Sequence, residues 1–445
     1  MAFGLRRANS SRLAALLAAA GAVLLSGSAC AHKYKFRTIY SFCAETNCTD
    51  GGLPEAALLM DASGNLYGTT TFQGASGQSG AGTVFELIPD GTRWKRKTLY
   101  SFCAKAGCTD GRTPLGSLIV DQSGNLYGTA QHGGGHDAGV VFELMPNATR
   151  NKWKYKRLHD FCGQGGDICA DGNIPYAGLT YAGAASGAPY DGTSTLYGTT
   201  ASGGGPTKDG GTAFSLRPDG NKWKQRVLYA FCALSQCTDG AGPRSALVMD
   251  SKKNLYGTTV LGGSTWFSAG VAFKLTTGGS ESVLYAFCPS GNCPDGDSPQ
   301  APLLLDPSGD VLGTTHNGGA NGDGLADGTV FKIGGTQEQV VYNFCTLQSC
   351  ADGAFPTAGL VMDQSGNIFG TTAFGGGLGG GQGGGTVFEL DGGTEQVLHA
   401  FCSKPSCADG QMPGAGLIMD ASGNLFGTTE EGGANGLGTV FELEF

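Results

Sequence analysis

Fourteen cysteines recur along this chain as seven close pairs. Thiols at such spacing can cross-link, hold a metal or exchange electrons. The pairs are Cys43-Cys48, Cys103-Cys108, Cys162-Cys169, Cys232-Cys237, Cys288-Cys293, Cys345-Cys350 and Cys402-Cys407. Six are C-x4-C and the third is C-x6-C, so the C-x-x-C of thiol redox enzymes is absent. A tetrahedral zinc site takes four ligands and each pair supplies two. Pairs placed in separate repeats around a ring lie too far apart to share an ion. Seven local disulfides are therefore expected, with no metal and no cofactor. Closing a loop of about six residues contributes about 2 kcal/mol each in the chain-entropy model.

Other groups could carry chemistry because they differ from repeat to repeat. They are His132 and His136, His316, the Trp266-Phe267 pair and the Glu430-Glu431 pair. His at i and i+4 suits a metal only on a helix, and this stretch is a glycine-rich loop. Trp266 and Phe267 could stack on a sugar ring or pack on a neighbouring loop. Glu430-Glu431 is the one unique acidic pair, a weak signal for the two spaced carboxylates of a glycosidase. His159 and His399 stand where other repeats have Tyr, which points to a structural role. Seven Asp-Gly steps, and turns such as Asp61-Ala62-Ser63-Gly64-Asn65, are explained by Asp side chains bonding their own turn. The latter look like the start of a calcium loop but lack its distal Glu. The Gly-Gly steps precede no helix or Lys and make no phosphate loop.

What must position these residues is a repeat. Phe-Cys begins at 42, 102, 161, 231, 287, 344 and 401, at spacings of 56 to 70 residues. Each copy continues with the second Cys, Asp-Gly-x-x-Pro, an apolar run, a Gly-Asn-Leu-Tyr-Gly-Thr-Thr-like segment, a glycine-rich stretch and Thr-Val-Phe-Glu-Leu or a variant. Periodicity explains the 79 glycines, which by number alone would suggest disorder. Four short segments per copy have strand character: A (57–61), B (65–70), C (83–88) and D (95–102) in the first. Four antiparallel strands repeated radially make a β-propeller. A D-type strand at 35–42 precedes the first A, and the last copy stops after C at 439–445. A ring closed by pairing the N-terminal strand with the last C strand satisfies backbone groups that would otherwise form an open sheet edge there. The fold expected is all-β: a seven-bladed propeller over 32–445.

This ordered series resembles the GloVer tandem repeat of exported bacterial proteins, grouped as choice-of-anchor because their C-terminal anchors vary. The resemblance spans about residues 33–445. It implies the fold and export, and it carries no defined activity or catalytic residues. The chain departs from the pattern in ending at Phe445 without a sorting tail.

Residues 1–31 read as a signal peptide: Arg6, Arg7 and Arg12, an apolar run from Leu13 to Leu25, then Ala29-Cys30-Ala31 with cleavage expected at Ala31-His32. The rival is a lipoprotein acylated at Cys30. Removing the leader would take the one unpaired Cys with it. No later segment is apolar enough for a transmembrane helix. The mature chain is expected in the periplasm or outside the cell, as a monomer. Removing three Arg leaves 25 basic against 37 acidic residues, a net charge near −12 that disfavours nucleic acid as a partner.

In such a ring the D–A and B–C loops, which are the long ones, share one face around the channel. That face is the expected binding surface, since variable loops on a rigid frame carry function. A glycan or an envelope or extracellular protein is the expected partner of a non-catalytic scaffold. A polysaccharide lyase or glycoside hydrolase at the channel mouth, and a structural envelope protein, are the alternatives. Strand D is basic in four adjacent blades, at Lys35, Lys95 and Lys97, Lys154 and Lys156, and Lys224. This rim guards sheet edges or docks to an anionic surface.

Overall fold

The computed structural model describes residues 34–163, 169–205, 210–263, 268–289, 291–320, 327–335, 337–377 and 383–445. Seven four-stranded antiparallel sheets form seven blades. Blade 1 runs A Leu59–Met60, B Leu66–Thr70, C Thr83–Asp90 and D Arg93–Ser101. Its D strand, like those of blades 2 to 6, ends at the Cys loop that leads into the next blade. Blade 7 is completed from the other end of the chain: Lys35–Ser41 pairs with Thr439–Glu444, from Lys35 opposite Glu444 to Ser41 opposite Thr439. The ring expected from the offset strand count is closed in this way.

The sequence pattern of each strand follows its place in the blade. Strands B and C are sandwiched between neighbouring blades, so both faces are buried and residues such as Leu66-Tyr67 and Val84-Phe85 are apolar in succession. Strand D is outermost, and its first residues alternate between exposed and half-buried. A bulge skips one D residue in every blade; in blade 1, Val84 faces Tyr100 and Phe85 faces Thr98, leaving Leu99 between them. Gly68 in strand B is required by packing: a Cβ there would lie 2.5 Å from the Phe85 ring. The equivalent glycine meets the equivalent phenylalanine in all seven blades.

Strand A is shorter than the sequence suggests, two residues against five, because the chain turns away on either side of Leu59–Met60. Five of the Cys loops hold a single 3-10 turn, such as Thr46–Cys48, and one more lies at Ala184–Ser186 in the insert after strand A of blade 3. D–A and B–C loops lie on one face, as isolated bridges from Gly52 to Phe72 and Arg112 to His132 show. On the other face, the insert after strand A of blade 3 carries Tyr190 to a bridge with Asp121 of blade 2, where Tyr190 is fully buried. No helix among the described residues is long and apolar enough to cross a membrane.

Candidate functional site at the channel mouth

The repeated residues around the loops are spent on the fold. All seven disulfides are present. The Asp of each Asp-Gly step is buried beneath its Cys loop. Asp50 accepts from the Tyr40 hydroxyl at 2.7 Å and from the Ala44 and Glu45 amides. Tyr100–Asp110, Tyr229–Asp239, Tyr285–Asp295 and Tyr342–Asp352 repeat that bond. His159 and His399 use Nε2 for it, on Asp171 and Asp409. Burial pushes the His399 imidazole down, against the pull of Asp409. Asp61 and its counterparts bond their own turns: Asp61 accepts from the Ser63 and Asn65 amides, the Asn65 side chain and the Tyr67 hydroxyl. The one acid–cysteine cluster of metal-like spacing among the described residues, Asp327 with Cys345 and Cys350, contains a disulfide rather than thiolates.

The residue directly after each repeat Pro behaves differently. It is Glu55, Leu115, Tyr176, Arg244, Gln300, Thr357 and Gly414 in blades 1 to 7, a different type every time. Its backbone is held alike from blade to blade. The residue two before it carries on from a left-handed position: Leu53, Thr113, Ile174, Ser298, Phe355 and Met412 have φ between 55° and 61°, and Gly242 stands there in blade 4 with φ 67°. Their amides donate to the preceding blade's B–C loop, as in Leu53 to Leu437 and Met412 to Gly384. The residue after it is clamped from the preceding blade by a strand B threonine: Thr199 Oγ1 donates to Ser245 O at 2.9 Å, and Thr428 Oγ1 to Ala56 O at 3.4 Å. Left-handed non-glycine residues cost about 1–3 kcal/mol each, so the fold spends strain on this placement.

The seven residues after the repeat Pro line a cavity of 390 Å³ in the centre of the long-loop face, with small residues leading into the A strands and Glu430 completing the wall. A second, more open hollow of 420 Å³ adjoins it and shares Glu55, Leu115 and Tyr176. Arg244 is exposed and lies 5.6 Å from the Tyr176 ring centroid, a cation–π stack. Glu55 accepts a 2.8 Å bond from Thr71 Oγ1. Its carboxyl is pushed up by burial, with the Thr71 bond opposing. Glu430 is pushed up to about 7 by burial, then by the charges of Glu55 and Glu431. Two carboxyls facing each other across the blade 7–blade 1 seam, one holding its proton near neutrality, can bind hydroxyls as donor and acceptor together or pass a proton.

Of the residues singled out by sequence, Glu430 lines this cavity. Glu431 is exposed beside it, its backbone bridged to Gln411. His132 and His136 are absent from the cavity wall: His132 is bridged to Arg112, burial lowers its affinity for a proton, and His136 is exposed. His316 bonds Asn317 and packs on Phe355. Trp266, Phe267, Cys30 and the Ala31-His32 junction lie outside the described residues. Glu55, Tyr176, Arg244 and Gln300 were missed, although the criterion of variation between repeats finds them once applied inside the Asp-Gly-x-x-Pro motif as well as in the glycine-rich loops.

The basic rim is partly neutralised within its own sheets. Lys97 pairs with Glu86 at 3.5 Å, Lys156 with Glu143 at 3.4 Å and Lys35 with Glu444 at 3.6 Å, and Arg37 pairs with Glu442. Lys95, Lys154 and Lys224 are exposed and have no ion pair among the described residues.

A solved structure of the periplasmic gluconolactonase PpgL of Pseudomonas aeruginosa is similar at 13% identity, with a TM-score of 0.48, over 78% of this chain and 85% of that one. No curated protein matches the sequence. The Gloeobacter/Verrucomicrobia repeat model matches residues 27–193 and 185–441. With nearly the whole ring covered by that repeat, the chain belongs to the Gloeobacter/Verrucomicrobia repeat family.

Proposed function

We propose that this is an exported, monomeric binding protein, with residues 1–31 removed, that seats a sugar residue of a glycan in the channel mouth. One observation carries the reading. The residue after the repeat Pro differs in all seven blades, and in every blade it lines the central cavity, on a backbone fixed alike from blade to blade. Glu55, Glu430 and Gln300 offer a mixture of donors and acceptors for hydroxyls. Arg244, stacked on Tyr176 and free of an ion pair among the described residues, suits a carboxylate substituent. The cavity volume lies within the range of small-molecule sites. The seven disulfides fit an oxidising compartment outside the cytoplasm. Lys95, Lys154 and Lys224 act as guards of the outer sheet edge.

Titration calorimetry against neutral and uronate oligosaccharides tests this. Arg244→Ala and Tyr176→Ala should each weaken binding of the uronate ligand at least about tenfold, an effect of about 1.4 kcal/mol, with the melting temperature unchanged. A protein that binds none of these glycans, or binds them equally well after both substitutions, contradicts the proposal.

The Glu55–Glu430 pair favours a second reading, an enzyme acting on the same glycan with Glu430 as proton donor. Release of new sugar ends by the wild type and its loss in Glu430→Gln would select it. Binding without turnover would select the scaffold.

A further inference from the structure

One residue of strand D occupies the same place in every blade. It sits opposite the buried Leu or Ile of strand C and packs against the Asp-Gly loop of the preceding blade. In blades 7, 1, 2 and 3 the residue is Phe36, Arg96, Tyr155 and Gln225, and in blades 4, 5 and 6 it is Glu281, Glu338 and Glu395. Two of the four non-acidic residues show what the site asks for. Gln225 Nε2 donates to the main-chain carbonyl of Asp171 at 3.0 Å, and the Arg96 guanidinium donates to the carbonyl of Asp50. In blades 1 and 3 the position is thus a donor to the carbonyl of the loop aspartate across the seam, whereas Tyr155 and Phe36 stack on the Tyr100 and His399 rings there.

A carboxylate cannot fill that role. Glu281, Glu338 and Glu395 each have an Oε1 shut off from water and without a hydrogen-bond partner among the described residues. The groups facing them from the preceding blade are Asp239 and Tyr229, Asp295 and Tyr285, and Asp352 and Tyr342. Each of those tyrosines gives its hydroxyl proton to its own aspartate. From their own blades, Lys274, Lys332 and Glu389 face the next strand D residue, Ser282, Gln339 and Gln396. Lys274 lies over Tyr256, and Lys332 is paired with Asp306 and Asp310. Arg226 of blade 3 reaches the blade 4 turn at the Gly278 carbonyl. An ionised Glu would thus set a dry oxygen beside acceptors of like sign. A protonated one has an O–H to give, as Gln225 has an N–H.

We propose that Glu281, Glu338 and Glu395 are neutral acids that donate to the Asp239, Asp295 and Asp352 carbonyls, making three consecutive blade seams a proton-dependent clasp. Burial, and then the facing aspartate, push all three carboxyls up to about 7 from an ordinary 4.5. The folded state therefore holds protons that the unfolded chain releases. The stabilisation is complete below about 4.5 and is lost as pH rises through about 7. The ring is tightest in mildly acidic surroundings, and the seams between blades 3 and 6 loosen first as the medium turns alkaline.

Thermal unfolding from pH 5 to pH 8 tests the clasp, in a Glu430→Gln background that silences the channel's own raised acid. The parent should lose roughly 5 °C across this range. The triple variant Glu281→Gln/Glu338→Gln/Glu395→Gln, which copies the solution of blade 3, should be nearly flat and should melt higher than the parent at pH 8. An equal fall in parent and triple variant overturns the proposal. Infrared spectra at pH 6 give a reading on the parent that no variant needs to fold for. A protonated-carboxyl stretch that disappears between pH 6 and pH 8 is expected, and its absence overturns the proposal as well.

Discussion

The channel mouth and the blade seams are both places where the seven repeats disagree, and they disagree for different reasons. After the repeat Pro, seven residue types face one cavity, and among the described residues only Glu55, Tyr176, Arg244 and Thr357 show a side-chain partner. At the strand D position opposite the buried Leu or Ile of strand C, the side chains face the preceding blade. Phe36 stacks on His399 at 3.7 Å, Tyr155 on Tyr100 at 5.0 Å, and Arg96 and Gln225 reach a carbonyl. Variation against protein is a set of alternative packings of one joint. Variation against empty space has no packing to satisfy, which is why it points to a ligand.

That contrast can be broken by substitution. The largest effect is expected at the seam. Asp239→Ala removes a buried carboxylate and strands the Tyr229 hydroxyl and the Ala233 and Leu234 amides of the Cys loop above it. It should cost about 3 kcal/mol or more in urea unfolding. Tyr229→His should cost far less, since blades 2 and 6 already use His there. A middle case sharpens the channel side: Gln300→Ala should leave stability within about 0.5 kcal/mol, and a larger loss would make the ring residues structural. A small effect is expected at the rim as well. Lys97→Ala removes a pair with Glu86 that is open to solvent on the lysine side, and should cost under about 1 kcal/mol by the same unfolding assay.

Much of this architecture is legible from residue order. The Phe-Cys and Asp-Gly-x-x-Pro series fixes blade number, and the orphan D strand at the start predicts ring closure, because a lone strand must find the last open edge. His159 and His399 were readable as Tyr substitutes from alignment of the repeats. The site was half legible. Glu430 was visible as a unique acid, whereas Arg244 and Tyr176 hid inside a motif that looks purely structural. The basic rim misled in part, because the acids that neutralise Lys97 and Lys156 sit on strand C, 11 and 13 positions earlier in the chain.

What the sequence by itself determined is therefore the repeat, its strands, its cysteine pairing and the closed ring, all of which follow from local pattern and from the need to pair the last C strand. What only the tertiary structure decided is which way the varying side chains look. Glu55 and Glu430 stand 375 positions apart in the chain and line one cavity because the ring closes between them. Glu281 meets Asp239 because adjacent blades stack. Charge and proton affinity depend on such through-space neighbours and on burial, and neither is written in the order of residues along one repeat.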